Sequence, residues 1–348
     1  MFRKNLMYAA IAATLGLSGT VWGADSTATV TQAGSANTGT ITQTYVGVFG
    51  EGTSASIDQN GEGNTGSISQ NDCCNPVATI LQGGSNHSSA IEQSNVLGSS
   101  ASTTQFGYGN QAEISQVPGT SVSDGSTAAI LQAGNDSSGA INQEGASLST
   151  AAITQSTGFG TATINQINSD GNTASINQDN AYYTIAQIDQ SGSNNTASID
   201  QSSPSGSSYS DYAQANITQS SDGNSATINQ LGALSSEASV TQSGGGGHTA
   251  LVQQEGGNYL SASILQFGGG GEGGEGAASE MATINQSGDY NYAWISQGGS
   301  GNVATINQSG LGTAEAHNTA TITQAGSGNQ GTITQSGGAG NSASIWQN

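Results

Sequence analysis

The side chains in this sequence that could do chemistry are few, and their spacing suits neither metal binding nor catalysis. Cys73 and Cys74 adjoin in NDCCNP, while His87, His248 and His317 stand far apart with no shared local motif. A structural zinc site draws thiolate and imidazole ligands from closely spaced positions, and a redox dithiol needs a CxxC spacing that is absent here. Catalysis needs a nucleophile, acid or base held against a partner in a cleft. Serines and acids abound, but no local motif pairs them with a histidine, so the expectation is no enzyme, no metal and no cofactor. Adjacent cysteines fit an internal disulfide poorly. In an oxidising exterior Cys73 and Cys74 would crosslink molecules or anchor another group, and an incidental loop pair is an equal reading.

The ends and the charge narrow the classes further. Residues 1–24, MFRKNLMYAAIAATLGLSGTVWGA, run from basic Arg3 and Lys4 through an apolar stretch, Leu6 to Leu17, to small residues at Gly23 and Ala24. This is the pattern of a secretory signal peptide cleaved near residue 23 or 24. The apolar run is short for a membrane span and no later one is apolar enough, so a membrane-spanning protein is not expected. The chain has 2 basic residues (Arg3 and Lys4) against 23 acidic ones, and its net charge is −21. The mature chain, 25–348, therefore has no lysine or arginine to neutralise phosphates, which excludes nucleic-acid binding as a role.

With 33% hydrophobic residues and 53 glycines in 348, composition alone favours disorder. Periodicity overturns that. A template of Ala/Gly, x, Ile/Val, x, Gln recurs with anchor glutamines that begin Gln32, Gln43, Gln59, Gln70, Gln82, Gln93, Gln105 and Gln116 and end Gln324, Gln335 and Gln347, 26 in all. Two positions before the anchor stand 22 isoleucines and 3 valines, with Thr103 the exception; four before it stand 21 alanines and 4 glycines, with Ser89 the exception. Eleven segments carry asparagine six before the anchor, among them Asn37, Asn64, Asn110, Asn329 and Asn341. Offsets of two put Asn, Ala, Ile and Gln on one face of an extended strand and Thr, Ser, Asn and Asp on the other.

Anchors mostly 11 or 12 residues apart, separated by glycine-rich bends such as NGEGN and AGSGN, group into 13 strand-turn-strand repeats. The expected fold is all-β: a stacked β-arch solenoid with two facing parallel sheets, rising roughly 60 Å at ~4.8 Å per rung. Self-bonded hairpins are the competing local reading. Stacking is favoured because it lays identical side chains over one another. In TATITQAGSGNQGTITQ, Ala320, Ile322 and Gln324 face inward on one strand and Gly331, Ile333 and Gln335 on the next. AGSGN is either the turn inside an arch or the crossover between rungs. Five longer anchor intervals read as loop insertions, and aromatics such as Tyr108, Tyr183, Tyr259, Tyr290 and Trp294 fall in bends or outward positions.

The spacing glutamine, four residues, asparagine, five residues, glutamine is met by Gln32-Asn37-Gln43, Gln59-Asn64-Gln70, Gln105-Asn110-Gln116 and Gln324-Asn329-Gln335, among others. In this the chain resembles the curlin repeat family, the subunits of bacterial curli amyloid fibres, over residues 26 to 348. The resemblance implies a secreted subunit of an extracellular cross-β fibre at the bacterial surface, serving biofilm matrix or adhesion. Its implied partners are copies of itself, a nucleating subunit, an outer-membrane secretion pore and accessory factors. Thirteen repeats exceed the handful usual in that family, and no long nonrepetitive targeting region precedes the first strand. The first and last rungs, TATVTQ and SASIWQ, resemble the internal ones, so head-to-tail addition is expected. The alternative is a soluble β-solenoid that binds ice or glycans through outward threonine-rich faces.

Overall fold

The computed structural model describes residues 12–17, 26–44, 52–71, 74–119, 123–156, 158–180, 182–203, 212–268 and 278–348. Arg3, Lys4, the cleavage positions at Gly23 and Ala24, and Cys73 lie outside the described residues. Within them the fold is all-β. Successive strands alternate between a sheet of 13 strands and a sheet of 14, and every strand pairing in both is parallel. Among the described residues no hairpin pairing joins strands that are neighbours in sequence, because the strand that follows each bend crosses to the other sheet. A rung is one strand from each sheet. The first is Thr27–Ser35 with Thr38–Thr44, and the last is Gln330–Gly337 with Ser342–Gln347.

Register follows from the template. Ile57 lies opposite Ile80, Gln59 opposite Gln82 and Ala55 opposite Ala78, and the same like-on-like pairing runs along both sheets. A one-residue slip would turn the whole inward set to solvent, so the offsets of two fix the register wherever the seam is buried. The small residues let the sheets close. A Cβ on Gly66 would meet Ile57 Cγ2 at 3.1 Å, and one on Gly331 would meet Ile322 Cγ2 at 3.3 Å, so the alanine or glycine of one sheet receives the isoleucine of the other. Most of the seam isoleucines are wholly buried, each contributing about 1.5–3 kcal/mol of apolar transfer.

The segment AGSGN is the crossover between rungs: it links Asn318–Ser327, in the 14-stranded sheet, to Gln330–Gly337, in the 13-stranded one. Connections between rungs also stack on each other: Val96–Leu97, between Gln93 and Gln105, pairs with Ser123–Asp124 of the insertion after Gln116, outside the main sheets, and Cys74 bridges to Leu97. One element has no counterpart in the sequence reading. Ala12–Leu17, inside the expected leader, pairs parallel with Thr38–Thr44 and places Leu15 opposite Ile41 and Leu17 opposite Gln43. The leader's alternation of small and branched residues imitates a rung, which a reading centred on its hydrophobicity overlooks.

Candidate assembly surface

The anchor glutamines form two hydrogen-bonded ladders through the interior. In the 13-stranded sheet Gln32 Nε2 donates to Gln59 Oε1, and each glutamine to the next, as far as Gln308 to Gln335, at 2.6–3.0 Å. In the other sheet the ladder runs from Gln43 through Gln70, Gln93 and Gln116 to Gln324 and Gln347, again at 2.7–3.0 Å. The second hydrogen of the amide is used as well: Gln59 Nε2 also donates to the Thr38 carbonyl and Gln82 Nε2 to that of Thr65. A buried primary amide is costly unless its groups are paired, and this arrangement pairs them with the rung above, the rung below and the facing sheet.

Every ladder bond points the same way along the stack, and the edges are therefore chemically unlike. At the first rung Gln32 Oε1 and Gln43 Oε1 are buried without a hydrogen-bond partner among the described residues. At the last rung Gln335 Nε2 and Gln347 Nε2 donate only to the Thr319 and Gln330 carbonyls, which leaves one amide hydrogen on each. The apolar row is open at the same places: Ala28 and Val30 at one edge and Ala343 and Ile345 at the other are only partly buried.

The asparagine row closes the bends. Asn37 Oδ1 accepts the Asn64 backbone N–H at 3.0 Å, and Asn37 Nδ2 reaches the carbonyls of Ala33 and Gly61. Asn64 and Asn110 repeat the pattern, bonding the Gly84 and Gly134 carbonyls, while Asn329 and Asn341 bond Ala325 and Gly338 near the last rung. Three members of this row escaped the sequence reading. His87, His248 and Glu280 stand six residues before Gln93, Gln254 and Gln286 and are buried in place of asparagine. The offset of six places them in the row, whereas their side-chain type does not resemble asparagine.

Each substitution has a definite electrostatic consequence. His87 Nδ1 accepts the Asn110 backbone N–H at 3.2 Å and its Nε2 lies 3.3 Å from the Gly83 carbonyl, which fixes the neutral tautomer with the hydrogen on Nε2. Burial holds the imidazole below its ordinary pKa, against the opposing pull of the Gly83 and Gly107 carbonyls. His248 and Glu280 are stacked on consecutive rungs, Nδ1 to Oε2 3.7 Å, both fully buried. Burial lowers His248 and raises Glu280 to about 7, although Asn302 Nδ2 donates to Glu280 Oε1 at 3.3 Å.

The two exceptions to the apolar rows answer each other. Ser89 replaces the alanine of one strand, Thr103 replaces the isoleucine of the strand it faces, and their hydroxyls bond at 2.6 Å in the buried seam. Of the adjacent cysteines only Cys74 is described: its N–H donates to the Val96 carbonyl at 3.1 Å and its carbonyl accepts from Gly98 at 2.8 Å, which ties Cys74 to the connection after Gln93.

Comparison with known families adds an independent observation. The curlin associated repeat model matches residues 281–310 and 317–348. The comparison with curated proteins gives no match.

Proposed function

We propose that the chain is a secreted structural subunit that adds head to tail into an extracellular cross-β fibre of the curli kind, serving surface adhesion or biofilm matrix. The curlin repeats at 281–310 and 317–348 and the parallel solenoid fit such a subunit. The observation that carries the reading is the one-way glutamine ladder. It leaves acceptors at Gln32 and Gln43 on one edge and unused amide hydrogens at Gln335 and Gln347 on the other. A second copy set on either edge supplies what that edge lacks, continues the isoleucine and alanine rows, and pairs the exposed strand edge.

In this reading residues 1–24 are a leader removed on export. Ala12–Leu17 pairs with Thr38–Thr44, so its removal uncovers an edge of the 14-stranded sheet. Export through an outer-membrane pore, accessory factors and a nucleating subunit complete the proposal. Cys73 and Cys74 would then serve to crosslink molecules or to anchor another group. A soluble ice- or glycan-binding solenoid is less well supported, since its outward threonine face would need to be flat, and exposed Leu131 and Trp346 break the row.

The test is electron microscopy of the purified mature chain after incubation. The expected result is unbranched fibres with a rung spacing of ~4.8 Å along the axis, the inward rows passing without interruption from one molecule to the next. A chain that stays monomeric across protein concentration, salt and pH would overturn the proposal.

A further inference from the structure

One outward position departs from what its backbone calls for. The residue seven before the anchor in the 14-stranded sheet sits at the apex of the bend with a left-handed backbone in most rungs; it is Ala36 in the first and glycine, asparagine or aspartate in the second to fifth, such as Gly63, Asn86 and Asp136. From the sixth rung to the eleventh, bulky rings take it over in all but the ninth. Phe159, Tyr183, Tyr212, Tyr259 and Tyr290 all occupy it at φ between 52° and 64°. A large side chain is disfavoured in that region, so the backbone does not explain the choice.

The rings form two stacks, exposed at Phe159, Tyr183, Tyr212 and Tyr259 and half-buried at Tyr290, whose ring also meets His317 edge-on. Tyr183 lies 5.4 Å from Tyr212 with 7° between the ring planes, and Tyr259 lies 4.9 Å from Tyr290 with 20° between them. Phe159 extends the first stack at 4.9 Å from Tyr183, and Ser235 separates the two stacks. Both tyrosine pairs join rungs between which the chain makes a long excursion. Their members are 29 and 31 residues apart, where the ordinary rung repeat is about 23.

We propose that Tyr183–Tyr212 and Tyr259–Tyr290 are sites of oxidative coupling, each closing to a dityrosine when a peroxidase and hydrogen peroxide supply the oxidising equivalents. Each phenol gives up one electron and its hydroxyl proton. The two radicals join through ring carbons ortho to the oxygens, and each of those carbons then loses its hydrogen as a proton while the phenol hydroxyl re-forms. The net change is loss of two hydrogens from the pair and reduction of one peroxide to two waters. Stacking holds the reacting rings together before oxidation, and each pair has at least one exposed ring, Tyr183 and Tyr212 in the first and Tyr259 in the second, through which the oxidant gains access. The bond would fasten neighbouring rungs at the places where the backbone joins them by its longest paths. It depends on the folded single molecule and not on fibre formation.

The test treats the folded full chain, at low concentration, with a haem peroxidase and hydrogen peroxide, followed by dityrosine fluorescence and peptide mapping after cleavage at acidic residues. Expected are intramolecular Tyr183–Tyr212 and Tyr259–Tyr290 crosslinks. The double variant Tyr212→Phe/Tyr290→Phe keeps rings that stack equally well but lacks the phenols, and its fluorescence falls by roughly fivefold or more. Tyr108→Phe, at an exposed tyrosine outside both stacks, leaves the signal unchanged. Absence of fluorescence, an unchanged signal in the double variant, or crosslinks mainly between other tyrosines or between molecules would overturn the proposal.

Discussion

At the residue scale the informative positions are those that break a row. Ser89 and Thr103 each satisfy the other's buried hydroxyl, so replacing one strands its partner. Thr103→Val and Ser89→Ala should each destabilise the folded chain by about 1–3 kcal/mol, the cost of an unpaired buried hydroxyl. The double variant, with apolar rows restored, should recover most of that loss. A double-mutant cycle from denaturant unfolding measures the coupling, and simple additivity of the two losses would refute the pairing. The ionisable members of the asparagine row make a second prediction. Glu280 is held neutral up to about pH 7, so above its ordinary value of 4.5 it must lose a proton on unfolding. Its contribution to stability is therefore full below pH 4.5 and declines as pH rises to about 7. His87 and His248 act in the opposite sense: held below 6.5, they gain protons on unfolding, and stability declines as pH falls from there. Glu280→Asn should thus raise the unfolding free energy at pH 7 and above by about 1–3 kcal/mol, with a smaller gain near pH 4.5. An equal gain at both pH values would show that charge burial is not the cause.

At the scale of the rung, the bends set how closely neighbours approach. Gly84, at φ +125°, lies where a Cβ would run into the carbonyl oxygen of Gly107 in the next rung, the same stretch of backbone whose Gly84 carbonyl accepts from Asn64. Gly98, at φ +62°, has nothing within 4 Å of such a Cβ. Gly84→Ala should therefore cost about 2–4 kcal/mol, from backbone strain and a displaced asparagine bond together, and Gly98→Ala about 1 kcal/mol from strain alone. Comparable unfolding midpoints for the two would contradict the close approach. The rung was legible in the sequence because its determinants are local offsets: two fixes the strand faces, and six finds the bend residue. Parallel stacking was legible because only stacking lays Ile57 on Ile80 and Gln59 on Gln82. Less could be read where two distant positions act together. Ser89 and Thr103 stood out only as separate exceptions, the offset-six role of His87, His248 and Glu280 was hidden by their unlike chemistry, and the stacks of Tyr183 and Tyr259 need the rung register before they exist. The direction of the glutamine ladder is set by amide orientation, which no residue pattern encodes.

For the whole molecule that direction is the consequential property. A stack whose internal bonds all point one way has two different ends, and in the proposed fibre a subunit would join with its acceptor edge on a donor edge. Val30 and Ile345 lie at opposite edges and are half-buried in the single chain. A lysine at either place stays at the edge of the isolated molecule, at little cost to its folding. In a fibre the next subunit would bury that charge against the isoleucine seam, a penalty of several kcal/mol, because the rows around it are alanine, isoleucine and neutral glutamine and hold no carboxylate to pair with it. An Ile345→Lys chain should accordingly join a growing fibre by its intact edge and then block the end it occupies. Val30→Lys should block the opposite end. Two-colour imaging of seeded growth, with each variant present at a small fraction of the wild type, distinguishes the ends. Each variant alone should stop elongation at one end only, and both together should stop it at both. Either variant arresting both ends, or neither arresting any, would rule out the polar head-to-tail stack, because a nonpolar or lateral mode of addition has no reason to tell Val30 from Ile345.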